Sequence, residues 1–453
     1  MNADNELHEL SPAVNEHAEA WQSPQEIEVP GLPPADHGRD AWMALVACVI
    51  VQLPIWGFSL AWGIFQEYLA DADIRGDKDS IAVIGTTSSG ILYMLSPVTF
   101  ALLTKYPRMR GYCGWVGVLI SVIGYATASF ATEVWQLIAS LGVLSALGNG
   151  LLFTPTTLYL NEWFIERKGL SLGTMWAGKS VSGVILPFVA QATLNRFGMS
   201  NTLRAWAVLT AVITIPLLRF IRPRLPLPPS HTPRRLDMGF LRLSSFWILE
   251  LSNIIQGLGY FLPSAYLSSF ATNIGLSDTL GTLLLSLFNG TSIFGGIVLG
   301  VLCDRFDVSN MILLSSVMSA ISVLLFWGLC PNDGSTSHHQ EVIVIALLSL
   351  FSLTYGFFAG GFSSTWSGML VELKRQSPAI DTGLIFGLLA GGRGIGNVIS
   401  GPVSGLLIQG KAGSSLSGGG YSTEYGPLIL FTGITAALAG YNGAWRMMKR
   451  LVC

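Results

Sequence analysis

The sequence predicts an all-α membrane protein whose twelve transmembrane helices form two pseudo-symmetric halves of six. Three observations support this fold class. The chain is 51% apolar and only 11% charged, whereas ordinary soluble domains carry about 25% charged residues. Apolar runs long enough to cross a bilayer recur along the chain, and a long polar connection divides them six and six. A short pattern in the fifth run also repeats in the eleventh.

The first forty residues differ from the rest of the chain. They hold nine acidic residues and a single basic residue, Arg39, and they lack the basic start and apolar core of a signal peptide. Low hydrophobicity with an excess of one charge is typical of disorder. We therefore expect residues 1–40 to form a disordered acidic cytoplasmic tail. Regulation by phosphorylation and binding of a partner are both open as roles for it.

Twelve apolar runs follow the tail, and each could cross about 30 Å of hydrocarbon as a helix. They lie at 42–69, 80–104, 112–131, 135–160, 169–192, 205–222, 243–272, 279–303, 309–330, 341–371, 381–409 and 427–446. The longest connection between them is rich in proline and arginine. These features predict an N-terminal half at 41–222, a cytoplasmic central loop at 223–242 and a C-terminal half at 243–453.

The distribution of lysine and arginine predicts the orientation. If the N-terminus is cytoplasmic, the cytoplasmic connections hold 18 basic residues and the opposite connections hold five. Cytoplasmic loops carry an excess of lysine and arginine in membrane proteins. We expect both termini in the cytoplasm and a multi-pass protein of the plasma membrane, with the vacuolar or another internal membrane as the alternative.

Several classes of function are not expected from this composition. The net charge of −2 offers no basic surface for nucleic acid. The five cysteines lie in or beside apolar runs or at the chain end without metal-ligand spacing, so we expect neither disulfides nor a metal or cofactor. No nucleophile–base pair or phosphate-binding loop is evident in the sequence, so an enzyme is not expected. We expect a monomer in the lipid bilayer.

The fifth and eleventh runs carry the internal repeat. "GLSLGTMWAGKSVSG" aligns with "GLIFGLLAGGRGIGN" at a constant offset of 214 residues, which pairs Lys179 with Arg393. Halves of six spans related by an axis along the membrane normal are the layout of the major facilitator fold. At 1.5 Å per helical residue, each cation then lies about halfway across the hydrocarbon.

Charge at that depth is costly, at about 3 kcal/mol on insertion scales, and is most often functional. The matched positions predict that Lys179 and Arg393 bind an organic anion, with the arginine as a bidentate donor and the lysine as a point charge. A structural role through snorkelling or pairing is the alternative. Asn289, Asn397 and Trp176 are further candidates for substrate binding, with helix–helix contact or packing as the alternative.

Two more groups of polar residues are candidates. Glu250 lies about eight residues into the seventh run, where it could carry a coupled proton or pair with a cation. "GVLCDRF" from Gly300 to Phe306 resembles the short loop between the second and third helices of each half in major facilitators. The resemblance implies that Asp304 caps a nearby helix and that Arg305 pairs across the cytoplasmic face, which would lock the outward-facing state. The first half has Thr104 in place of the acid.

Three stretches resemble monocarboxylate porters within the major facilitators, especially fungal ones. They are "WGIFQEYL" from Trp62, "EWFIERKGLSLGTMWAGKSVSG" from Glu162 and "RGIGNVISGP" from Arg393. The animal proton-linked members carry a lysine in the first span and an Asp with an Arg in the eighth. This chain has neither, so the animal lactate–proton mechanism is not implied.

The resemblance and the buried cations together predict secondary active transport by alternating access. The expected substrate is a small organic anion, a monocarboxylate or a carboxylated metabolite, with protons as an optional coupling ion. Efflux of a larger fungal secondary metabolite is an alternative in the same class. A nutrient sensor without net transport is a more remote one. The substrate, direction and coupling ion are open at this point.

Overall fold

The computed structural model describes residues 32–71, 75–76, 81–225, 236–331, 338–378, 380–409 and 418–445. Contacts within the chain divide it into two units, Met1–Pro34 and Ala35–Cys453. Residues 1–31 of the expected tail and residues 226–235 of the expected central loop lie outside the described residues. The description below concerns the second unit.

The described part of this unit contains twelve helices of 14 residues or more, besides shorter helical segments, and no strand occurs there beyond one isolated bridge. They are α1 Arg39–Asp71, α2 Ile81–Lys105, α3 Arg110–Ala128, α4 Val134–Trp163, α5 168–197, α6 199–217, α7 Ser244–Asn273, α8 Asp278–Arg305, α9 Val308–Trp327, α10 His339–Gln376, α11 Thr382–Gln409 and α12 Gly426–Ala439. The predicted all-α membrane class is confirmed.

Eight of these helices, α1–α4 and α8–α11, are long and apolar enough to cross a membrane by length and composition. Helix α12 has 14 residues and is apolar but short. Helices α5 and α7 carry the ionisable side chains Lys179 and Glu250 within their lengths. Helix α11 carries the buried Arg393 and still meets the apolar criterion.

A glycine separates α5 from α6. Lys168–Leu217 is helical throughout except at Gly198, where φ is 75° and ψ is 175°. Side chains rarely tolerate this left-handed conformation, and glycine adopts it without a steric cost. The break lets the chain reverse with a single residue, so α6 begins at 199 rather than at the predicted 205.

The apolar core is shared between the halves at one end of the bundle. One cluster joins both halves and includes Phe100, Phe153, Trp176, Trp366 and Phe386. Two further clusters each lie within one half. The first surrounds Phe65 and Trp206, and the second surrounds Phe270 and Trp327. The two halves are therefore joined by a common core at the end of the bundle where α8 ends.

Glycines bring α5 and α8 into backbone contact at this end. Gly169 and Gly173 face Gly300 and Gly296, and a Cβ at either α5 position would collide with a carbonyl oxygen of α8. Small residues spaced by four permit this approach between membrane helices. Helix α2 packs on α11 through further glycines on the other side of the bundle. These two helix pairs connect the N-terminal half to the C-terminal half.

Candidate functional site

Lys179 of α5 is buried in a cage of aromatic rings, with only 7% of its surface exposed. Its Nζ donates a hydrogen bond to the Tyr93 hydroxyl at 3.2 Å. No acid lies within salt-bridge distance of it among the described residues. Five rings surround the ammonium, with centroids at 4.4 Å (Trp56), 5.5 Å (Phe261), 5.6 Å (Trp176), 5.7 Å (Tyr93) and 5.9 Å (Tyr260). Ring faces attract a cation at such distances, most strongly when water is excluded.

Arg393 of α11 is fully buried beside the same cage. Its Nη1 donates to Gln256 Oε1 at 2.6 Å. Its Cζ lies 4.4 Å from the centroid of the Tyr260 ring and 5.8 Å from that of Phe261. The Nε and Nη2 groups have no hydrogen-bond partner among the described residues. Leaving buried donors of a charged group unpaired is costly, so this guanidinium is poised for an acceptor.

The polar face of helix α7 lies next to Arg393. Asn253, Gln256 and Tyr260 follow one another at spacings of three and four residues, which places them on one helix face. The Asn253 amide donates to the Leu389 carbonyl at 2.6 Å and accepts from the Trp366 indole at 3.0 Å. Because these bonds fix α7 against α10 and α11, Gln256 and Tyr260 are held in place against the guanidinium.

The rings around the two cations continue into a larger aromatic lining. Trp56 and Tyr93 lie 4.9 Å apart between ring centroids, and Trp176 meets Trp366 edge to face at 5.5 Å. A cavity of about 10 Å³ borders Gln256, about the room one water molecule needs. With Lys179 only 7% exposed and Arg393 fully buried, the two cations are enclosed by surrounding side chains in this conformation.

The structure brings three of the predicted site residues together: Lys179, Arg393 and Trp176. Glu250 lies behind them, 6% exposed, with its carboxylate against the backbone of Gly392. Its Oε2 has no hydrogen-bond partner among the described residues, and it forms no salt bridge with either cation there. Glu250 is thus next to the site along α11 but is not the counter-ion of either cation in this conformation.

The two predicted asparagines are not part of the cage. Asn289 donates to Leu285 of its own helix at 3.1 Å and packs against Gly183 of α5. Asn397 is half-buried one helical turn beyond Arg393. Neither makes a described contact with a cation, so their expected role in binding substrate stays a prediction.

Asp304 connects the end of α8 to the beginning of α5. Its Oδ1 accepts from the Gly169 amide at 2.6 Å, and its Oδ2 accepts from the Leu170 amide at 2.9 Å. A carboxylate at a helix N-terminus satisfies free amides and interacts favourably with the helix dipole. Arg305 is exposed and makes no ion pair with a described acid. The contact across the halves therefore depends on the acid of this loop.

The equivalent contact in the other half is replaced by a local one. Thr104 stands where the acid would be, and its buried hydroxyl has no hydrogen-bond partner among the described residues. The N-terminus of α11 is capped by Asp381, which accepts from the amides of Gly383 at 2.9 Å and Leu384 at 3.2 Å. One half thus caps its helix from across the bundle, and the other caps its helix from within the same segment.

A second carboxylate holds the connection between α4 and α5. Asp36 is 4% exposed and has a φ of 58°. Its Oδ2 accepts from the amides of Ile165 and Glu166, both at 3.0 Å, and its Oδ1 accepts from Arg167 at 2.9 Å. Asp36 lies inside the segment expected to be a disordered tail, yet it makes three hydrogen bonds in the structure. Helix α1 begins three residues later, at Arg39.

Sequence reasoning missed several residues of the site. The α7 face continues from Asn253 to Gln256 and Tyr260, and its periodicity could have identified both. The run Asp36, His37, Gly38 before the first helix has the composition of a turn. Tyr93 has no comparable signal, because 86 residues separate it from Lys179. The packing of α2 against α11 brings it to the ammonium.

Comparisons with known proteins agree with this architecture. No family model matches the chain. The chain is 28% identical over 380 residues to an "MFS-type transporter", pynF, of Aspergillus niger, covering 83% of this chain and 84% of that protein. It is 27% identical over 379 residues to the "Fujikurins efflux protein" of Gibberella fujikuroi, covering 83% and 78%. A bacterial homologue of the iron transporter ferroportin, in an outward-facing state with soaked iron, shares the fold, with a TM-score of 0.62 at 14% identity over 90% of this chain and 99% of that one.

Proposed function

The chain belongs to the major facilitator superfamily of membrane transporters, and we propose that it exports an organic anion with an apolar, aromatic body by alternating access. The observation that carries this proposal is the pair Lys179 and Arg393. They are two buried cations beside the same rings, without an acidic partner among the described residues.

The sign of the substrate charge follows from these cations. A buried charge without a partner is expensive, and an opposite charge offsets that cost if it is hydrogen-bonded. A neutral solute would leave both charges uncompensated, and a cationic solute would add to them. The arrangement therefore supports an anion, and a carboxylate matches the donor geometry of arginine.

The character of the rest of the substrate follows from the rings. Trp56, Trp176, Tyr260 and Phe261 all approach Lys179 within 5.9 Å between ring centroid and Nζ. A substrate that enters between these rings gains most if it offers a flat apolar surface. This lining favours a larger carboxylated metabolite over the smallest monocarboxylates.

Export is favoured by what the relatives do. One of them is an efflux protein for fujikurins, and another is an MFS-type transporter. Helices α5 and α8 are packed together at the end where Asp304 caps Gly169, and this end is cytoplasmic in the proposed orientation. An exported solute would enter through this end, which the contact holds shut in this conformation.

Further proposals concern the arrangement in the membrane. We place the halves at 41–222 and 243–453, with both termini and the 223–242 loop in the cytoplasm. The protein would act as a monomer in the plasma membrane, with Glu250 as the proton-coupling group and Asp304 and Arg305 as gating residues. Labelling of single cysteines in the 223–242 loop by an impermeant reagent in intact cells would contradict this orientation.

Transport of matched solutes into proteoliposomes tests the proposal. The probes are radiolabelled 2-naphthoate, its neutral amide 2-naphthamide, and acetate, at an alkaline pH that keeps the acids ionised. We expect carrier-dependent movement of 2-naphthoate well above that of acetate, and none of the amide above empty liposomes. Equal carrier-dependent rates for the acid and the amide would overturn the anion assignment. Faster transport of acetate than of 2-naphthoate would overturn the proposal that the substrate has an aromatic body.

A further inference from the structure

We propose that Arg393 binds the substrate carboxylate through its Nε and Nη2 edge, and that Gln256 and Tyr260 are the positioning residues that present this edge. The inference rests on the proposed function and specifies how its anion is recognised. The two donors are Nε and Nη2, their partner is the substrate carboxylate, and Gln256 and Tyr260 orient them.

The guanidinium offers two hydrogen-bonding edges, and one is already partly used. Nη1 donates to Gln256 at 2.6 Å, while Nε and Nη2 are buried without a partner among the described residues. The Nε–H bond and one Nη2–H bond point in the same direction, because the guanidinium is planar. Two parallel donors of this kind match the two oxygens of one carboxylate. The edge left open is thus the one suited to bidentate binding.

The orientation of this edge is fixed from two sides. The Tyr260 ring lies against the guanidinium, with its centroid 4.4 Å from Cζ, and this contact limits how far the guanidinium can tilt. The Gln256 oxygen holds Nη1, which sets its rotation within that plane. Gln256 is itself held, because its amide nitrogen donates to the Ala359 carbonyl of α10 at 3.4 Å. Neither α7 side chain needs to touch the substrate to act in this way.

The surroundings of the open edge favour an anion. The hydroxyl groups of Tyr93 and Tyr260 lie beside the guanidinium, but neither forms a hydrogen bond of ordinary geometry with Nε or Nη2. Tyr93 also accepts the bond from Lys179, so it stands between the two cations. A carboxylate at this position would meet the arginine fork and lie close to the lysine charge, with hydroxyl donors beside it.

The test measures binding of 2-naphthoate and 2-naphthamide to purified protein in nanodiscs by equilibrium dialysis. The variants are Gln256→Met, which removes the acceptor at similar size, and Arg393→Lys, which keeps the charge and removes the fork. The matched control is Gln66→Met, because Gln66 of α1 likewise accepts a side-chain bond, from the Trp62 indole at 2.9 Å. Thermal unfolding confirms that each variant is folded.

We expect Arg393→Lys to weaken 2-naphthoate binding about 10-fold to 100-fold and Gln256→Met about 10-fold, with amide binding and the Gln66→Met control unchanged. If the wild-type protein prefers the acid and both variants keep that full preference, the edge assignment is wrong while the proposed function stands. If the wild-type protein shows no preference for the acid over the amide, both the edge assignment and the proposed function are wrong. Equal losses for acid and amide in Gln256→Met would assign this residue to the fold instead of to the anion.

Discussion

The carboxylate of Asp304 at the end of α8 accepts a hydrogen bond from the amide of Gly169 at the start of α5, at 2.6 Å. The two residues are 135 positions apart and belong to different halves. Their bond therefore exists only while the halves are closed at this end. The equivalent helix α11 is capped by its own Asp381, so opening there breaks no such bond.

Replacing Asp304 by Ala should destabilise the closed end. A helix cap contributes about 0.5 to 2 kcal/mol, so the ratio of open to closed protein should rise about 2-fold to 30-fold. Cys303, next to Asp304 on α8, is buried against Gly368 of α10. Its rate of maleimide labelling can report opening of this end once the other cysteines are replaced. Asp381→Ala is the control and should leave the rate unchanged. Equal rates in Asp304→Ala and the wild type would remove Asp304 from the gate.

Replacing Asp36 by Ala should loosen the same end from the other side. Its carboxylate holds three consecutive amides ahead of α5, so its loss should also speed labelling of Cys303. Asp40→Ala is the matched control, because Asp40 pairs with Arg222 at 3.1 Å in an exposed position. Exposed pairs contribute little to stability. A similar response of both variants would point to a general effect of acidic residues near α1.

Removing either buried cation should weaken anion binding. Lys179→Met or Arg393→Met each deletes a charge-assisted contact worth about 1.5 to 3 kcal/mol, which corresponds to roughly 10-fold to 100-fold in affinity for 2-naphthoate. The double variant should depart from additivity, because both groups act on one ligand. Arg110→Met serves as the control, since Arg110 is a cation paired with Glu162 away from the cage. Additive losses that are equal for the acid and its amide would assign the cations to the fold.

Glu250→Gln should separate accumulation from exchange. Glutamine keeps the shape of this buried side chain but takes up no proton, so a pH gradient should no longer drive accumulation of 2-naphthoate. Exchange of labelled for unlabelled 2-naphthoate needs no net proton movement and should continue. Glu162→Gln, which alters a salt bridge with Arg110, should keep the pH dependence. If Glu250→Gln also keeps it, Glu250 does not carry the coupled proton.

The sequence predicted the helices well because their signal is local. Eight of the helices are long, continuous apolar runs, and hydrocarbon admits such a run only as a helix with its backbone bonds satisfied. The pairing of Lys179 with Arg393 was also accessible, because the repeat between α5 and α11 is local to each half. The predicted start of α6 at residue 205 was six residues too late, because α6 begins with polar residues that an apolar criterion rejects.

The aromatic cage was not accessible in the same way. Its rings come from α1, α2, α5 and α7, and nothing in one apolar run marks which tryptophan or tyrosine will meet a cation from another. Asp36 illustrates the opposite difficulty. An acid in an acidic, polar segment is usually solvated, and only its fit to the amides ahead of α5 shows otherwise.

The cage around Lys179 has a consequence for selectivity against inorganic ions. Chloride or phosphate that reached this ammonium would lose its water shell and gain no favourable contact with the ring faces, whose electrons repel it. An anion with an aromatic body replaces the lost hydration with ring contacts. A chloride current through the wild-type protein would contradict this view. The protein can therefore keep two positive charges deep in its bundle without conducting chloride or phosphate.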